Sequence, residues 1–212
     1  MNQAEIPFWE ENYRNDNIAA FSPEPNSTLT EFEPMLGRDS RVLEVGCGEG
    51  QNVLWLAKRG FHDVDAFDCS EAGIAKLKRL CEIQHVNVNA FVQDLRTYRF
   101  ERKYDLILSF ATLCFVEKSE WKNFLRRAKE NTNDGGIHII HLFTDTVPAS
   151  PDIAPFAVGL AKDGELREIY EDWEILRFLS YEFEDEHPGV PKHTHAANKI
   201  VARKTGISGN RV

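Results

Sequence analysis

No stretch of the chain holds the roughly 18 consecutive apolar residues of a membrane-spanning helix, so a bilayer is not expected as a partner. The first residues, MNQAEIPFWEENY, lack the charged start and apolar run of a secretory leader, which predicts a soluble, cytoplasmic protein. The four cysteines, Cys47, Cys69, Cys81 and Cys114, form no C-x-x-C pair, so neither a zinc knuckle nor a redox couple is expected. Basic blocks are missing as well. The formal net charge is −9, and the Lys and Arg residues are scattered among the acids, too sparse to neutralise a phosphate backbone. Nucleic acid is therefore not expected as a partner. Internal repeats and low-complexity tracts are absent, and 212 residues with 42% hydrophobic content suit one substantial core rather than two. Nothing in the pattern sets an oligomeric state.

What is present is alternation. From Arg41 onward, short apolar runs alternate with segments of helical period, the pattern of a parallel sheet with helices on both faces. RVLEV (41–45), HDVDAFD (62–68), VNVNAFV (86–92), YDLILSF (104–110) and IHIIHLF (137–143) read as strands. QNVLWLAKRG (51–60) reads as a helix that Gly60 stops, and Ser70 caps a second that carries Ile74, Leu77 and Cys81 on one face. SEWKNFLRRAKENTN (119–133) turns Trp121, Phe124, Leu125 and Ala128 inward. Five β-α units of this kind predict a doubly wound, Rossmann-like α/β sheet.

Pro148, Pro151 and Pro155 break residues 144–156 into a loop long enough to carry function. After a short helix around DGELREIY (163–170), WEILRFLSYEF (173–183) and HAANKIVARK (195–204) read as an antiparallel hairpin joined by EDEHPGVPKH (184–193). The sheet then has seven strands, mostly parallel, with an antiparallel last strand. Residues 1–40, with Phe8, Trp9, Tyr13 and Phe21, are expected to form one helix and a loop that cover the carboxyl edge of the sheet as a lid. Residues 41–204 make the single domain, and 205–212 a flexible tail.

Open α/β sheets bind ligands at the carboxyl ends of their strands, and the first β-α turn usually holds the cofactor. That turn reads EVGCGEGQN. A dinucleotide loop, G-x-G-x-x-G, needs its third glycine at position 51, where this chain has Gln51; Gly50 makes the motif G-x-G-x-G. Such a loop bends tightly without aiming a helix amino terminus at a pyrophosphate, so a cofactor without phosphate fits better and a nicotinamide oxidoreductase ranks last. Gly46, Cys47 and Gly48 lack bulk and let the backbone approach a ligand, and Gly50 permits the turn into the helix. Asp68 ends the second strand 22 residues after Gly46, where its carboxylate can accept both hydroxyls of a ribose. Asp94 follows the third strand. Taken singly, such a loop is often only a turn and such an acid only a helix cap.

In order at successive strand ends, these motifs resemble those of the class I S-adenosylmethionine-dependent methyltransferases, over roughly residues 38–204. The resemblance implies S-adenosylmethionine as cofactor. Glu44 would organise the loop and the amino group of the methionine part, Asp68 the ribose, Asp94 and the Leu95 backbone the adenine, with Cys69 against its face. Asn52, Ser109 and Tyr13 complete the implied cofactor contacts. Tyr13 would act with Trp9 from the lid, excluding water and enclosing the sulfonium, although core packing explains both aromatics equally well.

The segment after the fourth strand, SFATLCFV (109–116), holds no carboxylate. It lacks the [DNS]-P-P-[YF] motif of nucleic-acid amino methyltransferases and the paired glutamates of protein arginine methyltransferases. Only Asp145 stands where a catechol-type enzyme needs acidic metal ligands, so no metal is expected. Phe110, Leu113, Phe115 and Phe156 would instead line an aromatic chamber for a small-molecule acceptor that is soft and already anionic: a thiolate, a selenium or tellurium oxyanion, or a halide.

KYDLILSFATLCFVE, FTDT and FAVGLAKDGELREIYEDWE further resemble the tellurite-resistance methyltransferase group, which includes relatives acting on small thiols. DGELREIYEDWE is the most specific of the three, and an amphipathic helix packing Leu166, Ile169 and Tyr170 inward would account for it too. Members of that group place arginines in the final hairpin. This chain has His187, Lys192, His193 and His195 there, which offer no bidentate fork but can orient an acceptor or take its proton. Asp145, His187 and His195 are the candidate catalytic residues. KHTH (192–195) reads rather as a solvated turn, and zinc at His193 and His195 would lack other local ligands. His138 is expected in the core and His141 at the border of the pocket. Two alternatives stand beside this reading: methylation of a hydroxyl or amine with a hairpin histidine as base, and a cofactor-binding module without catalysis.

Overall fold

The computed structural model describes residues 6–187 and 190–206. Residues 207–212, most of the expected tail, lie outside the described residues, as do Pro188 and Gly189 of the hairpin connection. The strands are β1 (Arg41–Val45), β2 (Asp63–Asp68), β3 (Asn89–Val92), β4 (Tyr104–Phe110), β5 (Thr132–Phe143), β6 (Glu174–His187) and β7 (Val190–Arg203). They form one sheet in the order β3-β2-β1-β4-β5-β7-β6. Neighbours from β3 to β5 pair parallel, and β7 lies antiparallel to both β5 and β6. This is the expected Rossmann-like fold, with the last strand inserted one place in from the edge. The order reverses between β1 and β4, so the crevice beyond their carboxyl ends is the place for a ligand.

The helices are α1 (Phe8–Tyr13), α2 (Ser27–Phe32), α3 (Gln51–Lys58), α4 (Glu71–Gln84), α5 (Lys118–Glu130) and α6 (Glu165–Ile169). Successive strand side chains point to opposite faces, and the core divides accordingly. Leu43, Val45, Ile107 and Ile140 join Trp121, Phe124 and Leu125 of α5 on one face. Val42, Leu106 and Leu108 join Val53 and Leu56 of α3 and Ile74 and Leu77 of α4 on the other. Burying each of these side chains contributes about 1.5–3 kcal/mol. Ser70 caps α4 by accepting a hydrogen bond from the Gly73 N–H at 3.0 Å.

Three local expectations change. The first forty residues hold two helices and a short 3-10 turn rather than one helix, because Asn26 caps α2 by accepting from the Thr28 N–H at 3.0 Å. No α-helix joins β3 to β4; Tyr98 and Phe100 pack against Phe67 and Phe124 there, so the third β-α unit ends in a loop. The hairpin strands run on to His187 and back from Val190, with Glu184 opposite Thr194 and Asp185 opposite His193. Most of the expected ten-residue connection is therefore paired strand. No helix among the described residues is long and apolar enough to cross a membrane.

Candidate active site

The turn after β1 is bound to the end of β2. The N–H groups of Gly46 and Cys47 donate to the Phe67 carbonyl at 2.8 and 3.0 Å, and the Gly48 N–H donates to Asp68 Oδ2 at 2.8 Å. Gly46 and Gly48 have φ of +68° and +53°, and a Cβ would run into Thr112 at the first and the Tyr13 hydroxyl at the second. Glycine is therefore required twice over, by backbone conformation and by space. Asp68 Oδ1 accepts from the Ser70 N–H at 2.8 Å, so each carboxylate oxygen holds one loop N–H and keeps a lone pair for another donor. Burial raises the Asp68 pKa, against the pull of these hydrogen bonds.

Glu44 lies beneath this loop, 3% exposed. Its Oε1 accepts from Asn52 Nδ2 at 2.6 Å, and Asn52 Oδ1 accepts from the Asn26 N–H at 2.8 Å. Glu44 Oε2 is buried without a hydrogen-bond partner among the described residues, and burial pushes its pKa up to about 8. A buried carboxyl with one free oxygen is suited to a cation, whose charge would restore the ionised form. That is the fit required by the ammonium of a methionine-like ligand.

A cavity of about 1330 Å³ runs from this loop along the sheet edge. Single-ligand pockets occupy about 300–1,000 Å³, so this volume accommodates two small ligands side by side. Cys47, Cys69, Asp94 and Leu95 line its donor end with Glu44, Gly46, Gly48, Asn52 and Asp68. Asp94 is bound by Arg96, whose Nε lies 3.0 and 2.9 Å from the two carboxylate oxygens, and this pairing lowers its pKa. Gly50, with φ +86°, packs on Leu77 and starts α3 without lining the cavity.

Two sequence candidates stand elsewhere. Ser109 is fully buried in the sheet and does not line the cavity; Phe110, Ala111 and Thr112 do. Asp145 is exposed, with its N–H given to the Ala161 carbonyl, and is likewise absent from the cavity wall. Thr144 bridges to Ala161 at this point, and Asp145 begins the turn that follows. The acid of this loop that lines the cavity is Asp152.

Residues of the amino-terminal segment form part of the cavity wall. Tyr13 is buried, with its hydroxyl against Gly48, and Trp9 packs on Phe115 and Phe156 at ring separations of 4.9 and 5.4 Å. Phe8 stacks on His187 at 4.6 Å. Lys76 of α4 fixes this segment from below: its Nζ donates to the carbonyls of Asn15 and Ile18 at 2.9 and 2.5 Å and pairs with Glu49 at 2.6 Å. A lysine in the middle of a helix reads as surface, so neither Lys76 nor Glu49 stood out in the sequence.

The far end of the cavity is aromatic. Phe143, Phe183, Phe110 and Phe115 line it together with Tyr181, His141 and Lys199. Burial holds the His141 pKa down to about 3, so its imidazole is neutral, 3.3 Å from the Tyr181 hydroxyl. Lys199 Nζ lies 5.6 Å over the Tyr181 ring, and burial lowers its pKa. His138 is fully buried between Thr132 Oγ1 at 2.8 Å and the Tyr170 hydroxyl at 2.6 Å.

Beside these aromatic walls the extended hairpin brings His187, His193 and His195 together with Asp152. His193 Nε2 lies 3.0 Å from His195 Nε2 and 3.3 Å from Asp152 Oδ2. Burial lowers the pKa of His195 and of His187. Asp152 was not singled out in the sequence; its only signal was the proline-broken loop, which here winds into a turn with the Ala154 N–H bonded to the Ser150 carbonyl at 2.8 Å.

A family model described as "Tellurite resistance protein TehB" matches residues 28–202. The chain is 34% identical over 140 residues to the curated Haemophilus influenzae protein named "Probable S-adenosyl-L-methionine-dependent methyltransferase TehB", covering 65% of this chain and 47% of that one. It thus spans about half the length of this relative. It is 23% identical over 196 residues to the thiopurine S-methyltransferase of Photobacterium profundum, covering 85% and 89% of the two chains. The crystal structure of TehB from Haemophilus influenzae superposes with a TM-score of 0.75 at 26% identity, over 85% of this chain and 62% of that one. Since the family match runs from α2 through the sheet to the last strand, the chain belongs to the TehB tellurite-resistance family, within the class I S-adenosylmethionine-dependent methyltransferases.

Proposed function

We propose that this protein transfers the methyl group of S-adenosylmethionine to a small, soft, anionic acceptor, a thiolate or a selenium or tellurium oxyanion. The observation that carries the reading is one cavity with a polar donor end, Glu44 and Asp68 beside the glycine loop, and an aromatic far end with room for a second ligand. The curated relatives named thiopurine S-methyltransferases support a sulfur acceptor.

The cofactor, when bound, supplies a methyl group activated by a sulfonium. Glu44 would take the ammonium on its free Oε2, Asp68 the ribose hydroxyls on its remaining lone pairs, and Leu95 the adenine edge. The segment from Pro7 to Asn26 acts as the lid: Trp9 against Phe115 and Phe156 keeps water out of the transfer zone. Lys199 attracts an anionic acceptor, and the aromatic walls hold it at attacking distance, about 3–3.5 Å. An acceptor already ionised needs no strong base, in keeping with a chamber in which neutral His141 faces Tyr181.

The test is turnover with methyl-labelled S-adenosylmethionine on thiols, selenite, tellurite, phenols and amines, and the expected result is labelled methyl on sulfur, selenium or tellurium. A second reading, methylation of a hydroxyl or amine, is favoured by His195, which burial keeps neutral and able to accept a proton. Turnover confined to phenols or amines would select it. Tight cofactor binding with no turnover on any acceptor would leave a binding module.

A further inference from the structure

We propose that Asp152, His187, His193 and His195 bind one divalent transition-metal ion at the acceptor end of the cavity. Each residue offers one ligand atom, and the four atoms lie within 4.8 Å of one another. The side chains of Asp152, His193 and His195 are 1%, 7% and 3% exposed, so the set is built into the fold rather than solvated at its edge.

The hydrogen bonds around the cluster decide where its protons are. His193 Nδ1 lies 2.7 Å from the Pro191 carbonyl, which can only accept, so in the neutral ring Nδ1 carries the proton and Nε2 the lone pair. The Ser150 hydroxyl gives its proton to Asp152 Oδ1 and therefore accepts from His195 Nδ1 at 3.2 Å. His195 Nε2 is then bare as well. The two Nε2 atoms stand 3.0 Å apart, with Asp152 Oδ2 at 3.3 and 3.7 Å from them, and that oxygen has no hydrogen-bond partner among the described residues. With both rings in these neutral tautomers, three lone pairs converge on one point. A cation at that point turns mutual repulsion into coordination. Pro191 and Ser150 are the outer partners that fix the ring orientation of metal-bound histidines. Sequence spacing showed only His193 and His195; the loop after β5 and the long hairpin add Asp152 and His187.

Three imidazoles and one carboxylate form a borderline donor set that suits Zn²⁺, with Co²⁺ or Ni²⁺ as substitutes, and does not suit Mg²⁺ or Ca²⁺. His195 stacks on Phe143 at 4.4 Å, so the ion would face the aromatic chamber. If the proposed function holds, a thiol entering there would bind as its thiolate and release its proton to water.

Co²⁺ titration of the chelator-stripped full chain tests the site without relying on activity. The expected result is one Co²⁺ per chain with d–d absorption of a four- or five-coordinate ion, displaced by Zn²⁺ and not by Mg²⁺. Asp152→Asn and His193→Ala should each weaken binding at least tenfold and leave S-adenosylhomocysteine affinity within twofold of wild type. A wild type that binds S-adenosylhomocysteine but no Co²⁺, or metal binding unchanged in both variants, would overturn the site and leave the methyltransferase reading intact. Co²⁺ binding without S-adenosylhomocysteine binding would do the reverse.

Discussion

The two ends of the cavity are built in different ways. The donor end comes from neighbouring strand ends in register: Gly46 and Gly48 follow β1, Asp68 ends β2 and Leu95 follows β3, and backbone N–H groups tie the first turn to the end of β2. The acceptor end is assembled from distant segments, with Ser150 and Asp152 of one loop meeting His193 and His195 of a hairpin more than forty residues later. Local geometry fixes the first, and tertiary packing alone fixes the second. Donor-end substitutions should therefore act through cofactor binding and stability together, whereas acceptor-end substitutions should change what is methylated and leave the cofactor in place.

The largest effect is expected at the support of the donor end. Lys76→Ala leaves Glu49 buried without its cation and frees the carbonyls of Asn15 and Ile18, and removal of one partner of a buried pair costs about 3–5 kcal/mol. Urea unfolding should show that loss, and limited proteolysis should cut the released amino-terminal segment first. An unchanged midpoint would mean that the segment is held by α1 alone.

Next comes Gly46→Val, which places a branched side chain against Thr112 at φ +68° and is expected to cost about 1–3 kcal/mol. S-adenosylhomocysteine binding should disappear with it. Retention of affinity would separate the loop conformation from the cofactor site and break the comparison at its donor side.

A third effect is pH dependence. The Glu44 pKa stands near 8 in the fold against 4.5 for an ordinary glutamate, so the folded state holds the proton more tightly than the unfolded chain. Its contribution to stability is complete below about pH 4.5 and is lost as pH rises toward 8. Thermal unfolding of the cofactor-free chain across that range should show this slope, which Glu44→Gln should flatten. S-adenosylhomocysteine, through its ammonium, should flatten it in the wild type.

The smallest effect is expected at Asp145. Exposed and off the cavity wall, Asp145→Asn should leave turnover and cofactor affinity within twofold of wild type. A tenfold loss would return this acid to the acceptor side.

The same contrast explains what could be read from the chain. The glycine spacing with Gln51, the positions of Asp68 and Asp94, and the five parallel strands were legible because each rests on a local rule of strand, turn or cap. The helical period of α5 likewise placed Trp121, Phe124, Leu125 and Ala128 in the core. Ser109 and Asp145 do not line the cavity, because a residue at a strand end can face the crevice or turn from it and spacing does not decide which. Lys76, Asp152, Thr112 and Lys199 passed unnoticed because each acquires its role from a segment far away in the chain. The hairpin strands reach beyond the boundaries read from the sequence because cross-strand partners hold Glu184, Asp185 and His187 in strand.

Calorimetry of S-adenosylhomocysteine with the wild type and Asp68→Ala tests the donor end most directly. One site per chain, weakened at least tenfold by removal of the carboxylate that holds the Gly48 and Ser70 N–H groups, is the result this account predicts. No binding to the wild type, or equal binding to both proteins, would contradict it.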